Sequence, residues 1–173
     1  MDINVKQPIN ALIYVENVYE GNLSPNSLKA IESIPWDDWI KAWFDSLESI
    51  SNLKQDCEIG LRLTGDLQIQ ALNCQYRSID SPTDVLAFAA TEADIPLPLD
   101  IAEPLYLGDV IISLDTAKKQ AQEQNHLLTT ELAWLASHGV LHLLGWDHPD
   151  EISLEKMLKQ QSKLVHLSKV RQN

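Results

Sequence analysis

The sequence predicts one α+β domain spanning residues 1–173, in which a small mixed sheet of four strands is covered by about five helices. Three observations carry that expectation. The chain has 173 residues, 45% of them hydrophobic, which suits one ordinary hydrophobic core. Four short runs alternate apolar and polar residues or concentrate β-branched ones, while the stretches between them repeat apolar residues at three- and four-residue spacing. Finally, the runs follow the order strand, helix, strand, helix, two strands and three helices.

Residues 11–18, Ala-Leu-Ile-Tyr-Val-Glu-Asn-Val, read as the first strand, and Ser24-Pro25-Asn26 is expected to break the chain after it. From Pro35 to about Ile50, the residues Trp36, Ile40, Trp43, Phe44, Leu47 and Ile50 form one apolar stripe. Asp37 and Asp38 stand in the first turn, where the helix dipole favours anions. Cys57 to Leu63 alternates as a half-buried strand does. Thr64 then reads as the N-cap of a helix from about Asp66 to Arg77, which Ser81-Pro82 ends. Asp84 to Phe88 and Leu107 to Ser113 are the third and fourth strands. Between them, about 90–106, lies an acidic loop containing Pro96, Pro98 and Pro104. Helices at Asp115–Asn125, Leu127–Leu144 and Asp150–Leu167 complete the chain.

With 25 acidic and 13 basic residues, the formal net charge is −12. Non-specific nucleic-acid binding neutralises phosphates with Lys and Arg, so any such contact has to be local, near Arg62, Arg77 or the C-terminal lysines, and metal-assisted. Residues 91–110 hold five acids and no base, which removes that stretch from consideration. No window reaches the roughly 18 to 20 uncharged apolar residues of a membrane span. Cys57 and Cys74 could be bridged, but nothing at the N-terminus resembles a secretory leader, so a reducing cytoplasm is the expected compartment.

Chemistry concentrates in Ser-His-Gly-Val-Leu-His-Leu-Leu-Gly-Trp-Asp-His, where His138, His142 and His148 fall within eleven residues. Four residues apart on a helix, His138 and His142 lie one above the other and aim at one point. The helix itself cannot supply a third ligand six residues on. Gly145 can take the left-handed conformation that ends a helix, letting His148 return to the same point. Three neutral imidazoles then form an open, catalytic half-shell for one Zn2+, and a closed structural site would need a fourth ligand from Cys57, Cys74, His126 or His166. Nickel, cobalt and copper are accepted by the same donors. Asp147 is either a partner that orients a ligand or a solvated loop aspartate.

The spacing equals that of the metzincin peptidases, which makes this a zincin-like metal helix, but position 139 is glycine where those enzymes carry the glutamate that takes a proton. Proteolysis by that route is disfavoured. A cation that acidifies water to a pKa of about 7 needs less help from a base, and a phosphodiester needs positive charge at its oxygens. Arg77 can supply it as a bidentate phosphate contact; the alternative is a helix C-terminal arginine paired with Asp80.

The segment His138 to His148 resembles the signature of the YbeY family, bacterial endoribonucleases also called rRNA maturation factors, whose pattern reads HGxLHLxGYDH. Leu72 to Phe88, LNCQYRSIDSPTDVLAF, resembles the family's LNxxYRxxDxPTDVLSFP, and Leu107 to Ser113 its GDIxIS strand. The resemblance covers about residues 55–165. It departs at Ala87, Ala89 and Trp146, where the family has serine, proline and tyrosine. The resemblance implies a cytoplasmic, zinc-dependent, single-strand-specific endoribonuclease of small-subunit rRNA 3′-end maturation and ribosome quality control. It implies His138, His142 and His148 as ligands of one zinc per chain and Arg77 as the catalytic or RNA-contacting arginine. The pre-ribosomal small subunit, a ribosomal protein or an assembly GTPase are the implied partners. Two other readings stand beside it: an assembly factor whose zinc is structural, and a metal-dependent peptide or amide hydrolase. Trp146 beside the ligands is expected to serve core packing, with a base-stacking platform as the alternative.

Overall fold

The computed structural model describes residues 8–93 and 102–170. In chain order the elements are β1 (Ala11–Asn17), α1 (Pro25–Glu32), α2 (Trp36–Ser46), β2 (Cys57–Thr64), α3 (Asp66–Arg77), β3 (Val85–Ala89), β4 (Leu105–Ser113), α4 (Leu114–Glu123), α5 (Leu128–Leu143) and α6 (Glu151–Val170). Short 3-10 turns lie at Glu48–Asn52 and Ala90–Ala93. The sheet runs β1-β2-β4-β3, with β1 parallel to β2, β2 parallel to β4 and β3 antiparallel to β4.

Alternation in the strands sorts side chains onto two faces. Cys57, Ile59, Leu61 and Leu63 of β2, with Val110 and Ile112 of β4, are buried in the main core beneath α2, α5 and α6. The stripe of α2 meets that face with Trp39, Ile40, Trp43 and Phe44, each fully buried side chain stabilising the fold by roughly 1.5–3 kcal/mol. The Trp43 indole N–H donates to the Leu164 carbonyl at 2.9 Å and the Ser168 hydroxyl at 3.0 Å, so α2 and α6 are joined by a satisfied polar contact inside the core. On the opposite face a smaller cluster of Ile69, Leu86 and Ile111, with Leu72 and Phe88 packed against it, seats α3. The start of α3 is fixed where β2 and β4 end: Asp115 accepts the Asp66 N–H at 2.9 Å, and Asp66 accepts the hydroxyl of Thr116 at 2.6 Å. Each carboxylate thereby serves the opening turn of a helix.

The structure alters the sequence expectation in five places. Ser24-Pro25 opens a helix instead of breaking the chain, so there are six helices among the described residues. The Ser24 hydroxyl accepts the Ser27 N–H at 3.1 Å, and Pro25 occupies the first turn, where its missing N–H costs nothing. The second helix stops at Ser46, and Ile50 lies in the 3-10 turn beyond it. Gly65, not Thr64, caps α3; Thr64 is the buried last residue of β2, and its hydroxyl bonds the Gln68 side chain. The helix ends on Ser78, at φ 59°, before Pro82 is reached. Of the expected loop at 90–106, residues 90–93 form a 3-10 turn and 105–106 belong to β4, while 94–101 lie outside the described residues.

Candidate metal centre and its arginine

α5 packs on β3 and β4, and its C-terminal half carries His138 and His142. Their Nε2 atoms are 3.0 Å apart, and one ring nitrogen from each of His138, His142 and His148 lies within 4.8 Å of the others. Tetrahedral zinc with bonds of 2.0–2.1 Å needs donors roughly 3.3 Å apart, so the His138–His142 pair stands close to the required spacing.

The return of His148 is built from backbone. The Trp146 N–H reaches the Leu141 carbonyl and the Gly145 N–H the His142 carbonyl, both at 3.0 Å, with Gly145 at φ 91°. This is the Schellman arrangement, which glycine accommodates without strain. Such a motif packs an apolar side chain back on the helix, and Trp146, half-buried against the core that contains Leu141, is that side chain. Core packing is therefore the role the structure gives Trp146. Asp147 accepts the backbone N–H of His148 at 2.8 Å, fixing the turn instead of an imidazole.

Donor chemistry fits a cation. His138 Nδ1 lies 3.1 Å from Gln161 Oε1; with Nδ1–H donating there, the Nε2 lone pair faces the common point. Gln161 is buried on α6, and its own amide N–H donates to the Trp134 carbonyl at 3.4 Å, which sets its orientation. Burial holds the His142 imidazole below its usual pKa range, and the charges of His138 and His148 add to that shift, favouring the neutral form a metal requires. Among the described residues no cysteine, carboxylate or further histidine joins the trio. His126 instead pairs with the buried Glu131 at the other end of α5, and Cys57 is enclosed in β2. A hollow of about 780 Å³ opens beside that His126 pair, between α4 and α6, and contains none of the three histidines.

Gly139 has a packing reason to be glycine. A Cβ there would stand 2.5 Å from Val110 Cγ1, so position 139 faces β4 and has no room for a glutamate. A similar close approach joins the last turn of α5 to β3 and β4. At Gly108, φ 132°, a Cβ would lie 2.1 Å from the Phe88 carbonyl and 2.9 Å from Leu143 Cδ2, so β3, β4 and the last turn of α5 meet there. One residue back from Phe88, the Ala87 carbonyl accepts Arg77 Nη2 at 3.0 Å, and the guanidinium carbon stands 5.7 Å from the Phe88 ring centroid. Its acidic neighbour is Glu92, at 4.0 Å, and not Asp80, which accepts from Gln70 at 3.0 Å.

A sequence profile of the family described as Endoribonuclease YbeY matches residues 24–169. The chain belongs to the YbeY family. That YbeY match runs from the cap of α1 almost to the end of α6, taking in Arg77 and all three histidines. Among curated relatives, the Endoribonuclease YbeY of Trichormus variabilis is 57% identical over 136 residues, 78% of this chain and 77% of that one. The protein of the same name from Picosynechococcus sp. is 48% identical over 148 residues, 86% of this chain and 91% of that one. The fold is similar to the solution structure of a Thermotoga maritima protein, with a TM-score of 0.52 and 23% identity over 91% of this chain and 89% of that one.

Within this YbeY chain, Gln161 is the site residue that sequence reasoning missed. Its signal was present: Met157, Gln161, Leu164 and Ser168 share one buried stripe of α6, and a glutamine at a core position needs a polar partner.

Proposed function

We propose that this chain is a zinc-dependent endoribonuclease that cuts single-stranded RNA in the cytoplasm, in the maturation of small-subunit rRNA 3′ ends and in ribosome quality control, with residues 1–173 acting as one domain. The observation that carries this reading is the three-histidine group, converging without a fourth protein ligand among the described residues, in a family whose curated relatives are named endoribonucleases. His138, His142 and His148 are the ligands. Zinc held there supplies Lewis acidity, acidifying water and stabilising charge on phosphoryl oxygens. Gln161 sets the tautomer of His138, Gly145 permits the return turn, and Asp147 holds the backbone of His148. Arg77 receives the phosphate and balances the charge that develops on it. With Gly139 against Val110, no side chain at that position takes a proton, which suits a phosphodiester met by a cation better than a peptide.

A net charge of −12 leaves little attraction for free RNA, so delivery by the pre-ribosomal small subunit, a ribosomal protein or an assembly GTPase belongs to the same reading. The test is elemental analysis of untagged protein together with cleavage of a single-stranded RNA. A single zinc per chain, lost with cleavage in His142→Ala while the fold survives, is the expected result. Zinc without wild-type cleavage favours a docking role, and absence of metal overturns the ligand assignment.

A further inference from the structure

Tyr76 precedes the arginine on α3 and is 58% exposed, which leaves much of its ring in water beside a cation. The ring is nevertheless held. It stands edge-on to Phe88, with centroids 5.2 Å apart and planes at 65°. Phe88 in turn packs on the cluster of Ile69, Leu86 and Ile111. The Arg77 guanidinium is fixed by the same phenylalanine and by the Ala87 carbonyl, while its side chain stays 44% exposed. One buried-edge ring thus sets an open aromatic face and a cation with spare donors side by side, next to the strand end that adjoins Leu143 of the histidine helix.

We propose that Tyr76 is the stacking seat for the base of the nucleotide whose phosphate Arg77 receives, and that this seat makes the site select unpaired RNA. The inference rests on the endoribonuclease reading. Every base has a π-face, so stacking tolerates any sequence, but a duplex hides those faces within its own stack. A ring already oriented by Phe88 loses less freedom when a base settles on it than a side chain without such a contact. Trp146, the aromatic nearest the ligands in sequence, is occupied in the turn that ends α5.

The experiment measures binding of a fluorescent single-stranded oligoribonucleotide to metal-free protein by anisotropy, and KM and kcat with the zinc-loaded protein. Tyr76→Ala and Tyr76→Leu are expected to raise Kd and KM about 10-fold with little change in kcat. Zinc content and melting temperature should stay at wild-type values. Tyr76→Phe should recover most of the affinity, and Leu67→Ala, at the far, 85% exposed start of α3, serves as the control. A Kd for Tyr76→Ala within about twofold of wild type overturns the seat, as does Tyr76→Leu binding like Tyr76→Phe, since the contact would then be apolar packing alone. If wild type cuts single-stranded RNA and Tyr76→Ala does so unchanged, only the seat fails. If wild type neither binds nor cuts single-stranded RNA, either alone or with the pre-ribosomal small subunit present, the endoribonuclease reading fails and takes this inference with it.

Discussion

The two halves of the candidate site rest on helices of opposite character. α5 buries ten of its 16 residues, and its histidines are held by the core, a backbone turn and Gln161. α3 buries two of its 12, and Arg77 is held by one ring and one carbonyl. Under the proposed function the difference matches ligand chemistry: a metal ion needs several donors at fixed distances, whereas a phosphate needs a cation with donors left open to solvent.

The largest expected contrast comes from removing one member of each half. His142→Ala should lose metal and cleavage together, while Arg77→Ala should keep its zinc and cut about 100-fold more slowly, read by single-turnover kinetics. Equal metal loss in both variants would merge the halves and defeat the comparison. Gln161→Leu should weaken metal binding about 10- to 100-fold in a competition titration with the fold retained, because His138 loses the acceptor that fixes its tautomer. Gly139→Ala drives a methyl against Val110 and should cost about 1–3 kcal/mol in urea denaturation. Alanine on the exposed face of α3, as at Leu67, should stay within about 0.5 kcal/mol. A comparably small effect is expected of Glu92→Gln, which frees Arg77 from its acidic neighbour and should tighten RNA binding about twofold at low salt.

Thiol chemistry sharpens the same contrast between faces. Exposed Cys74 on α3 should react at once with a thiol reagent, and buried Cys57 only on unfolding. Burial pushes the Cys57 thiol up to about 11 from its ordinary 9.0. The unfolded thiol therefore ionises first, so this contribution to stability is complete below pH 9 and is lost as pH rises toward 11. A urea midpoint independent of pH across that range would contradict it.

What was legible in the sequence was whatever depends on short-range spacing. His138, His142, Gly145 and His148 are a local pattern, and helix geometry plus one left-handed residue is enough to converge them. The four strands were readable because β2 alternates cleanly and β4 carries a near-continuous apolar run. α1 was not, because a helix of eight residues with Ile31 as its one buried residue has almost no periodic signal, and Ser-Pro reads equally as a cap or a break. Arg77 was found but its neighbours were not: Ala87, Phe88 and Glu92 reach it through the turn between α3 and β3, which spacing alone does not specify. Gln161 lies 23 residues beyond His138 on another helix, and only packing brings the two together.

The bond from Arg77 to the Ala87 carbonyl has a consequence beyond phosphate. β3 is the outermost strand on its side of the sheet, and with the Phe88 carbonyl turned inward toward Gly108, that of Ala87 points outward. Unpaired backbone on a border strand invites a strand from another molecule, and a charge laid across it is one of the ordinary defences against fibrous association. Arg77, laid across the Ala87 carbonyl, therefore covers one outward group of this border strand with charge.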